Sequence, residues 1–187
     1  IAAAPCDQDS GQDRRFNEIK TRFWRFMFTW TLGGAWVFVT MAAGLAAATS
    51  QQEAPLGILF VLGAVLWIGG FAIEVIADRQ KTKFREDPAN ADTFISTGLW
   101  QYSRHPNYFG EIVLWTGIAI MSFPVLTGWQ LATLISPIFV FLLLTKVSGI
   151  PMLEKSGQER WGSDPNYQHY VATTSVLVPL PPKSSAS

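Results

Sequence analysis

Three groups of polar residues have types and spacing suited to holding a ligand, and the first follows a long apolar run. Glu74, Asp78, Lys81 and Arg85 are spaced four, three and four residues apart, so on one helix they share a face. An ionisable side chain near the hydrocarbon, as predicted for Glu74, is costly unless it faces a cavity or a partner. Carboxylates can accept hydrogen bonds from a ribose, and Arg85 can bind a phosphate with two donors. A helix end with local ion pairs explains the spacing equally well.

The second group lies in the stretch GLWQYSRHPNYFGE. Pro106 suits the first turn of a helix, which places Arg104, His105 and Asn107 at a helix N-terminus, where free N–H groups and the dipole favour an anion. Glu111 follows Asn107 by four residues, on the same face and inside the next apolar run. These residues predict a site for a phosphate-bearing or zwitterionic ligand at the membrane boundary. A capped helix start with a structural histidine is the alternative.

The third group lies in the polar C-terminal tail. Tyr167 and Tyr170 are three residues apart and follow Glu154, so they can close a lid over the same site. Packing of the two tyrosines on the membrane surface is the alternative, and the pattern does not separate the two.

Apolar helices must position these residues. The stretch 26–48 carries no charge, and as a helix it spans about 34 Å, enough to cross a bilayer core. Three further apolar stretches, 56–77, 108–123 and 129–145, complete the set. The sequence therefore predicts an all-α membrane protein with about four transmembrane helices. A soluble helical bundle suits the shorter stretches but not the first two.

The basic residues alternate between the segments that join the apolar stretches. Five Lys and Arg residues precede the first stretch, none lies in 49–55, five lie in 78–107, none lies in 124–128, and four follow the last. By the positive-inside rule, both termini and the 78–107 loop lie on the cytoplasmic or equivalent face, with the polar tail packed on that basic side. The 14 basic and 14 acidic residues cancel, so no global charge favours nucleic acid as a partner.

These patterns divide the chain into a polar N-terminal segment (1–25), a transmembrane helical domain (26–148) and a C-terminal surface segment (149–187). The sequence begins with Ile1 and has no intact signal peptide, so we expect part of the protein to lie upstream. A single Cys and two His residues predict neither an internal disulfide nor a metal site.

The stretch GLWQYSRHPNYFGEI, followed by SGIPMLE and a Tyr-rich tail, resembles the DUF1295 group of the steroid 5-alpha-reductase superfamily. The resemblance implies NADPH bound between membrane helices and hydride transfer to the β-carbon of a conjugated enone in a lipid. Asp78, Arg85, Asn107 and Glu111 match family positions, and Glu74 stands where the reductases often have Asn. The resemblance implies that Glu111 is the catalytic residue, placed to hydrogen-bond the substrate carbonyl or to position the nicotinamide. The cofactor-binding residues predicted are Glu74, Asp78, Arg85, Tyr102, Arg104, His105, Asn107, Glu154, Tyr167 and Tyr170.

Two departures keep other functions open. The RHPNY core and the Glu-then-Tyr tail are also similar to the isoprenylcysteine carboxyl methyltransferases, which implies S-adenosylmethionine as the alternative cofactor. The family's N-terminal membrane helices, with a Tyr that polarises the carbonyl, have no counterpart here. Together with the eight Trp residues, this shortness favours a third interpretation, a non-catalytic subunit with other membrane subunits as partners.

Overall fold

The structure is a computed structural model that describes residues 23–183, with the backbone alone at Arg25 and Thr29. The predicted N-terminal segment 1–25 therefore lies almost entirely outside the described residues. Within the described part, four helical segments are long and apolar enough to cross a membrane. The prediction of an all-α membrane protein is confirmed. The helices are α1 (Phe23–Ala48), α2 (Ile58–Glu86), α3 (Pro106–Ser122), α4 (Ser136–Leu142), α5 (Ile150–Trp161) and α6 (Pro165–Thr173).

Of the described residues, 23–39 belong to one compact unit and 40–183 to another. The described part of the first unit is the start of α1, whose large apolar side chains, such as Phe28 and Phe38, are exposed. Such a surface suits contact with lipid. The second unit contains the other helices and all the features described below.

The fourth apolar stretch differs from the single helix that the pattern predicts over 129–145. It begins as a 3-10 helix at Gly128–Ile135, continues as α4 and ends as a π-helix at Leu143–Val147. Pro137 lies in the first turn of α4. It has no N–H to donate and its ring crowds the preceding turn, so a new helical segment begins there.

Two pairs of glycines allow the backbones of α2 and α3 to pack in direct contact. A Cβ atom placed on Gly70 would lie 2.6 Å from the carbonyl oxygen of Gly110, and one on Gly117 would lie 2.6 Å from that of Gly63. Small residues at such positions allow membrane helices to pack closely. A Cβ atom on Gly110 would also lie 2.7 Å from the backbone nitrogen of Glu74, so this packing sets α3 directly against the polar part of α2.

The α2 helix extends past its apolar run to Glu86, which places the predicted polar stripe on a single helix as expected. The C-terminal tail forms α5 and α6 and then an extended segment that binds the loop before α3. Arg104 N donates to Ser175 O at 2.8 Å, and Leu180 N donates to Tyr102 O at 3.0 Å. The boundary predicted at residue 148 falls just before α5 and stays a prediction.

Candidate functional site

A cavity of about 170 Å³ lies where the C-terminal end of α2, the loop before α3, α5 and α6 meet. We call it the cationic cavity because basic side chains dominate its polar lining. Its cationic side chains are Lys81, Arg85, Arg104 and Arg160, and its carboxylate is that of Glu154. Its aromatic lining residues are Phe84, Phe94, Trp100, Trp161, Tyr167 and Tyr170.

Glu154 joins α5 to the loop before α3. Arg104 Nη1 donates to one carboxylate oxygen at 2.5 Å, and His105 Nε2 lies 2.7 Å from the other. The side chains of Arg104 and His105 are 11% and 6% exposed, and that of Glu154 is 30% exposed. Short bonds between charged groups in such a site are stronger than exposed ones. The three residues therefore form one partly buried cluster.

This pairing leaves the cavity with excess positive charge. Glu154 compensates Arg104, and within residues 23–183 no carboxylate forms an ion pair with Lys81, Arg85 or Arg160. Cations that converge on one cavity raise the local concentration of an anionic ligand. The arrangement is suited to a ligand with more than one negative charge.

Local sequence fixes the position of His105. It is the N-cap of α3, whose first turn contains Pro106. His105 N donates to Ser103 Oγ at 3.1 Å, and Ser103 Oγ donates to Leu177 O at 2.8 Å. The imidazole stacks on the Tyr108 ring with centroids 5.7 Å apart. Backbone, tail and ring contacts thus hold the imidazole in one orientation.

Trp100 forms the wall between α2 and α6. Its Nε1 donates to Ala77 O at 3.0 Å, and its carbonyl oxygen accepts the Tyr170 hydroxyl at 2.7 Å. The Lys81 ammonium lies 5.0 Å from the indole centroid, within the range of a cation–π interaction. Trp100 therefore helps to hold the Lys81 ammonium beside the cavity.

The turn before Trp100 depends on one glycine. Gly98 has φ of +63°, in the left-handed region, and a Cβ atom there would lie 2.6 Å from the Gln80 carboxamide. That carboxamide oxygen accepts a hydrogen bond from Leu99 N at 2.9 Å. The sequence reading that Gly98 permits a turn agrees with this geometry.

Phe94 is the centre of the aromatic wall. Its ring centroid lies 6.0 Å from Trp161, 5.1 Å from Tyr167 and 5.3 Å from Tyr170. Burial raises the pKa of both tyrosine phenols, so both stay neutral at physiological pH. Of the two roles weighed for the tyrosines, the structure places them in the cavity wall, against protein.

The other predicted residues lie elsewhere. Glu74 and Asp78 border a second, shallower groove on α2, with Lys83 and Glu86. Glu111 is half-buried on α3, next to Gly110, which packs against the backbone of Glu74, so we group Glu74, Asp78 and Glu111 as the acidic cluster. The polar stripe is thus divided between this acidic cluster and the cationic cavity.

Tyr102 and Asn107 do not line the cationic cavity. The side chain of Tyr102 is exposed, and its carbonyl oxygen binds the tail. The sequence reading did not include Phe94, Trp100 or Arg160 among the site residues. The sequence does contain a signal for Arg160. Glu154, Gly157 and Arg160 are three residues apart, which places them near one face of a helix.

Sequence comparisons identify a family and several curated relatives. The family described as "Protein of unknown function (DUF1295)" matches residues 7–174. The 3-oxo-5-alpha-steroid 4-dehydrogenase 1 of Bos taurus is 32% identical over 85 residues, 46% of this chain and 31% of its own length. The protein of that name from Rattus norvegicus is 25% identical over 121 residues, 65% of this chain and 41% of its own.

A plant relative shows a similar match. The steroid 5-alpha-reductase DET2 of Arabidopsis thaliana is 32% identical over 63 residues, 34% of this chain and 24% of its own length. The chain thus spans between 24% and 41% of the length of these curated relatives. No solved structure matches it significantly.

Proposed function

The chain belongs to the DUF1295 family of the steroid 5-alpha-reductase superfamily, and on that premise we propose that it binds NADPH and serves in a membrane reductase. The substrate class proposed is a steroid-like or other lipid enone, whose conjugated double bond is reduced. The observation that carries the proposal is the excess positive charge of the cationic cavity.

The lining of this cavity fits the proposed cofactor. NADPH carries a pyrophosphate and a 2′-phosphate, and the cations of Lys81, Arg85 and Arg160 are the side chains proposed to hold them. Aromatic side chains offer stacking surfaces for a planar ring. The carboxylate of Glu154 is already bound to Arg104 and His105, so we propose that it shapes the cavity rather than contacting the cofactor.

The acidic cluster is the proposed substrate end of the site. NADPH supplies a hydride when bound, and with one proton from solvent or protein the enone becomes the saturated ketone. Glu111, in its protonated form, is proposed to donate a hydrogen bond to the substrate carbonyl, because it is half-buried on α3 beside the polar part of α2.

A titration of the purified protein in nanodiscs tests the nucleotide part. We expect NADPH to bind, and Lys81→Ala and Arg160→Ala each to weaken it by roughly tenfold or more, as for loss of one charge-assisted bond. The matched control is Lys155→Ala, on the same helix as Arg160 but outside the cavity lining and exposed. NADPH affinity in that variant should stay within about twofold of the wild type.

The same titration separates the alternatives that the sequence leaves open. A folded protein that binds S-adenosylhomocysteine and not NADPH supports the methyltransferase interpretation. Binding of neither ligand, together with a partner that co-purifies in fixed ratio, supports the non-catalytic subunit. If NADPH binds, turnover of a steroid enone by wild type but not by Glu111→Gln tests the catalytic role.

We also propose that the cationic cavity opens on the cytoplasmic or equivalent face. The basis is the positive-inside rule, since Lys81, Arg85, Arg104 and Arg160 all lie on the basic side of the predicted topology. In intact cells, a cysteine introduced at Lys83 should be protected from a membrane-impermeant thiol reagent and one at Gln51 should be labelled. The reverse pattern contradicts the proposed orientation.

A further inference from the structure

A third concavity, of about 400 Å³, lies at the opposite end of α2 from the cationic cavity. It is formed by residues 49–52, between α1 and α2, and residues 127–130, between α3 and α4. At 1.5 Å per helical residue, most of the length of α2, about 30 Å, separates the two sites. We call it the neutral concavity because its lining residues carry no ionisable side chain.

Hydrogen bonds build the neutral concavity from both of its segments. Ser50 Oγ donates to Val125 O at 2.6 Å and accepts from Gln52 N at 3.1 Å. On the other side, Thr127 N donates to Gln130 Oε1 at 3.1 Å in a capping box. The two loops are thus tied to each other and ordered internally, so the concavity is a formed feature of the fold.

Its chemistry is that of uncharged hydrogen bonding beside one aromatic face. The carboxamides of Gln51 and Gln52 make no hydrogen bond to residues 23–183, so their donors and acceptors are available to a ligand. Trp129 is 83% exposed, at the start of the 3-10 helix. Gly128, with φ of +57° and open space around it, turns the chain immediately before that indole.

These features discriminate between ligand classes. A phosphate or carboxylate would lose water here without gaining a cation, which is unfavourable. A neutral polyhydroxylated ring offers hydroxyls for the carboxamides and a C–H face for the indole. We propose that the neutral concavity binds a sugar ring, either the headgroup of a neutral glycolipid or a soluble saccharide. This site is independent of the nucleotide site.

Lipid retention tests the glycolipid source. The wild-type protein is placed in phosphatidylcholine nanodiscs that contain monoglucosyl diacylglycerol or, separately, phosphatidylglycerol, and bound lipid is counted by native mass spectrometry. We expect selective retention of the glucosyl lipid. Trp129→Ala and the double variant Gln51→Ala/Gln52→Ala should each weaken it by about tenfold. The double variant changes only exposed loop positions, so it remains informative if Trp129→Ala does not fold.

Trp24→Ala is the matched control, because Trp24 is comparably exposed but lies outside the concavity. Its retention of glucosyl lipid should equal that of the wild type. The soluble arm uses maltose, followed by Trp fluorescence in a polyoxyethylene detergent that carries no sugar headgroup. Retention in nanodiscs without a maltose response assigns the site to glycolipid. A maltose response that Gln51→Ala/Gln52→Ala, which keeps the Trp129 reporter, abolishes assigns it to saccharides.

Three results would overturn the proposal. Equal retention of phosphatidylglycerol shows that the headgroup is not recognised. Unchanged retention in both concavity variants shows that the sugar binds elsewhere or nowhere. An equal loss of every lipid in Trp129→Ala shows that the indole is only an interfacial anchor, as tryptophans at membrane boundaries commonly are.

Discussion

The carboxylate of Glu154 should be worth more to stability than any exposed acid on the same helix. Its two oxygens bind Arg104 Nη1 at 2.5 Å and His105 Nε2 at 2.7 Å. Replacing Glu154 by Ala removes both bonds and leaves a nearly buried guanidinium without its counter-charge. The perturbation therefore tests whether this cluster fixes α5 against the start of α3.

The expected loss in the free energy of unfolding depends on how exposed the Glu154 side chain is. Removing one member of a buried ion pair costs about 3–5 kcal/mol, and a hydrogen bond to a charged group contributes about 1.5–3 kcal/mol. Because the Glu154 side chain is 30% exposed, water replaces part of the loss. We expect Glu154→Ala to lower the free energy of unfolding by about 2–3 kcal/mol, and Glu154→Gln, which keeps an acceptor, by about 1–2 kcal/mol.

Thermal unfolding in detergent, followed by Trp fluorescence, measures this loss. For a chain of this size about 2–4 °C correspond to 1 kcal/mol, so Tm should fall by about 4–12 °C in Glu154→Ala. Glu159→Gln is the matched control, because Glu159 is exposed on the same helix and meets Lys155 only at 3.9 Å. It should cost less than about 0.5 kcal/mol.

One result would contradict this structural role of Glu154. If Glu154→Gln is as stable as Glu159→Gln but binds NADPH much more weakly, then Glu154 contacts the cofactor, as the sequence predicts, and its bonds to Arg104 and His105 contribute little to stability. A double-mutant cycle with Arg104→Gln separates the pair from other effects. Coupling of about 1 kcal/mol or more is expected, and additivity refutes the reasoning.

Three further predictions concern backbone packing and pH. Gly117→Val should destabilise the protein by about 1–3 kcal/mol in a denaturant titration, because its Cβ atom would lie 2.6 Å from Gly63 O. The control is Gly69→Ala, whose Cβ atom would have nothing within 4 Å, and it should be neutral or stabilising. Gly98→Ala should cost about 1–2 kcal/mol in the same assay, because φ is +63° there. Burial raises the pKa of the Tyr170 phenol in the folded protein. The neutral phenol therefore contributes fully to the free energy of unfolding below the unfolded-state pKa of about 10, and this contribution is lost as pH rises through the folded-state pKa. Tm measured from pH 8 to 11 should fall less for Tyr170→Phe than for the wild type.

Length and charge were enough to predict the membrane helices. An uncharged run as long as 26–48 must satisfy its backbone internally in lipid, and a helix does so. The fourth segment was harder, because an apolar run does not reveal whether its turns are 3-10, α or π. Pro137 was visible in the sequence, but its effect depends on where the neighbouring turns already lie.

The candidate site was predictable only as far as local spacing reaches. Lys81 and Arg85 could be placed on one face of α2 because both belong to one helix. The partner of Arg104 could not be predicted, because Glu154 lies 50 residues further along the chain and no periodicity links the two. The pairing of Arg104 and His105 with Glu154 is therefore a finding of the structure, and because both residues also line the cationic cavity, their assignment to ligand binding stays a prediction.

The two halves of the proposed site are held by different contacts, and α2 is the element they share. The glycine pairs set Glu111 beside Glu74 at the membrane end, and the Glu154 cluster sets the lining of the cationic cavity at the polar end. A change at Gly110 should therefore displace the carboxylates and leave the cations in place, whereas a change at Glu154 should do the opposite. Substrate affinity and nucleotide affinity should respond separately to the two substitutions, because neither set of contacts includes the other.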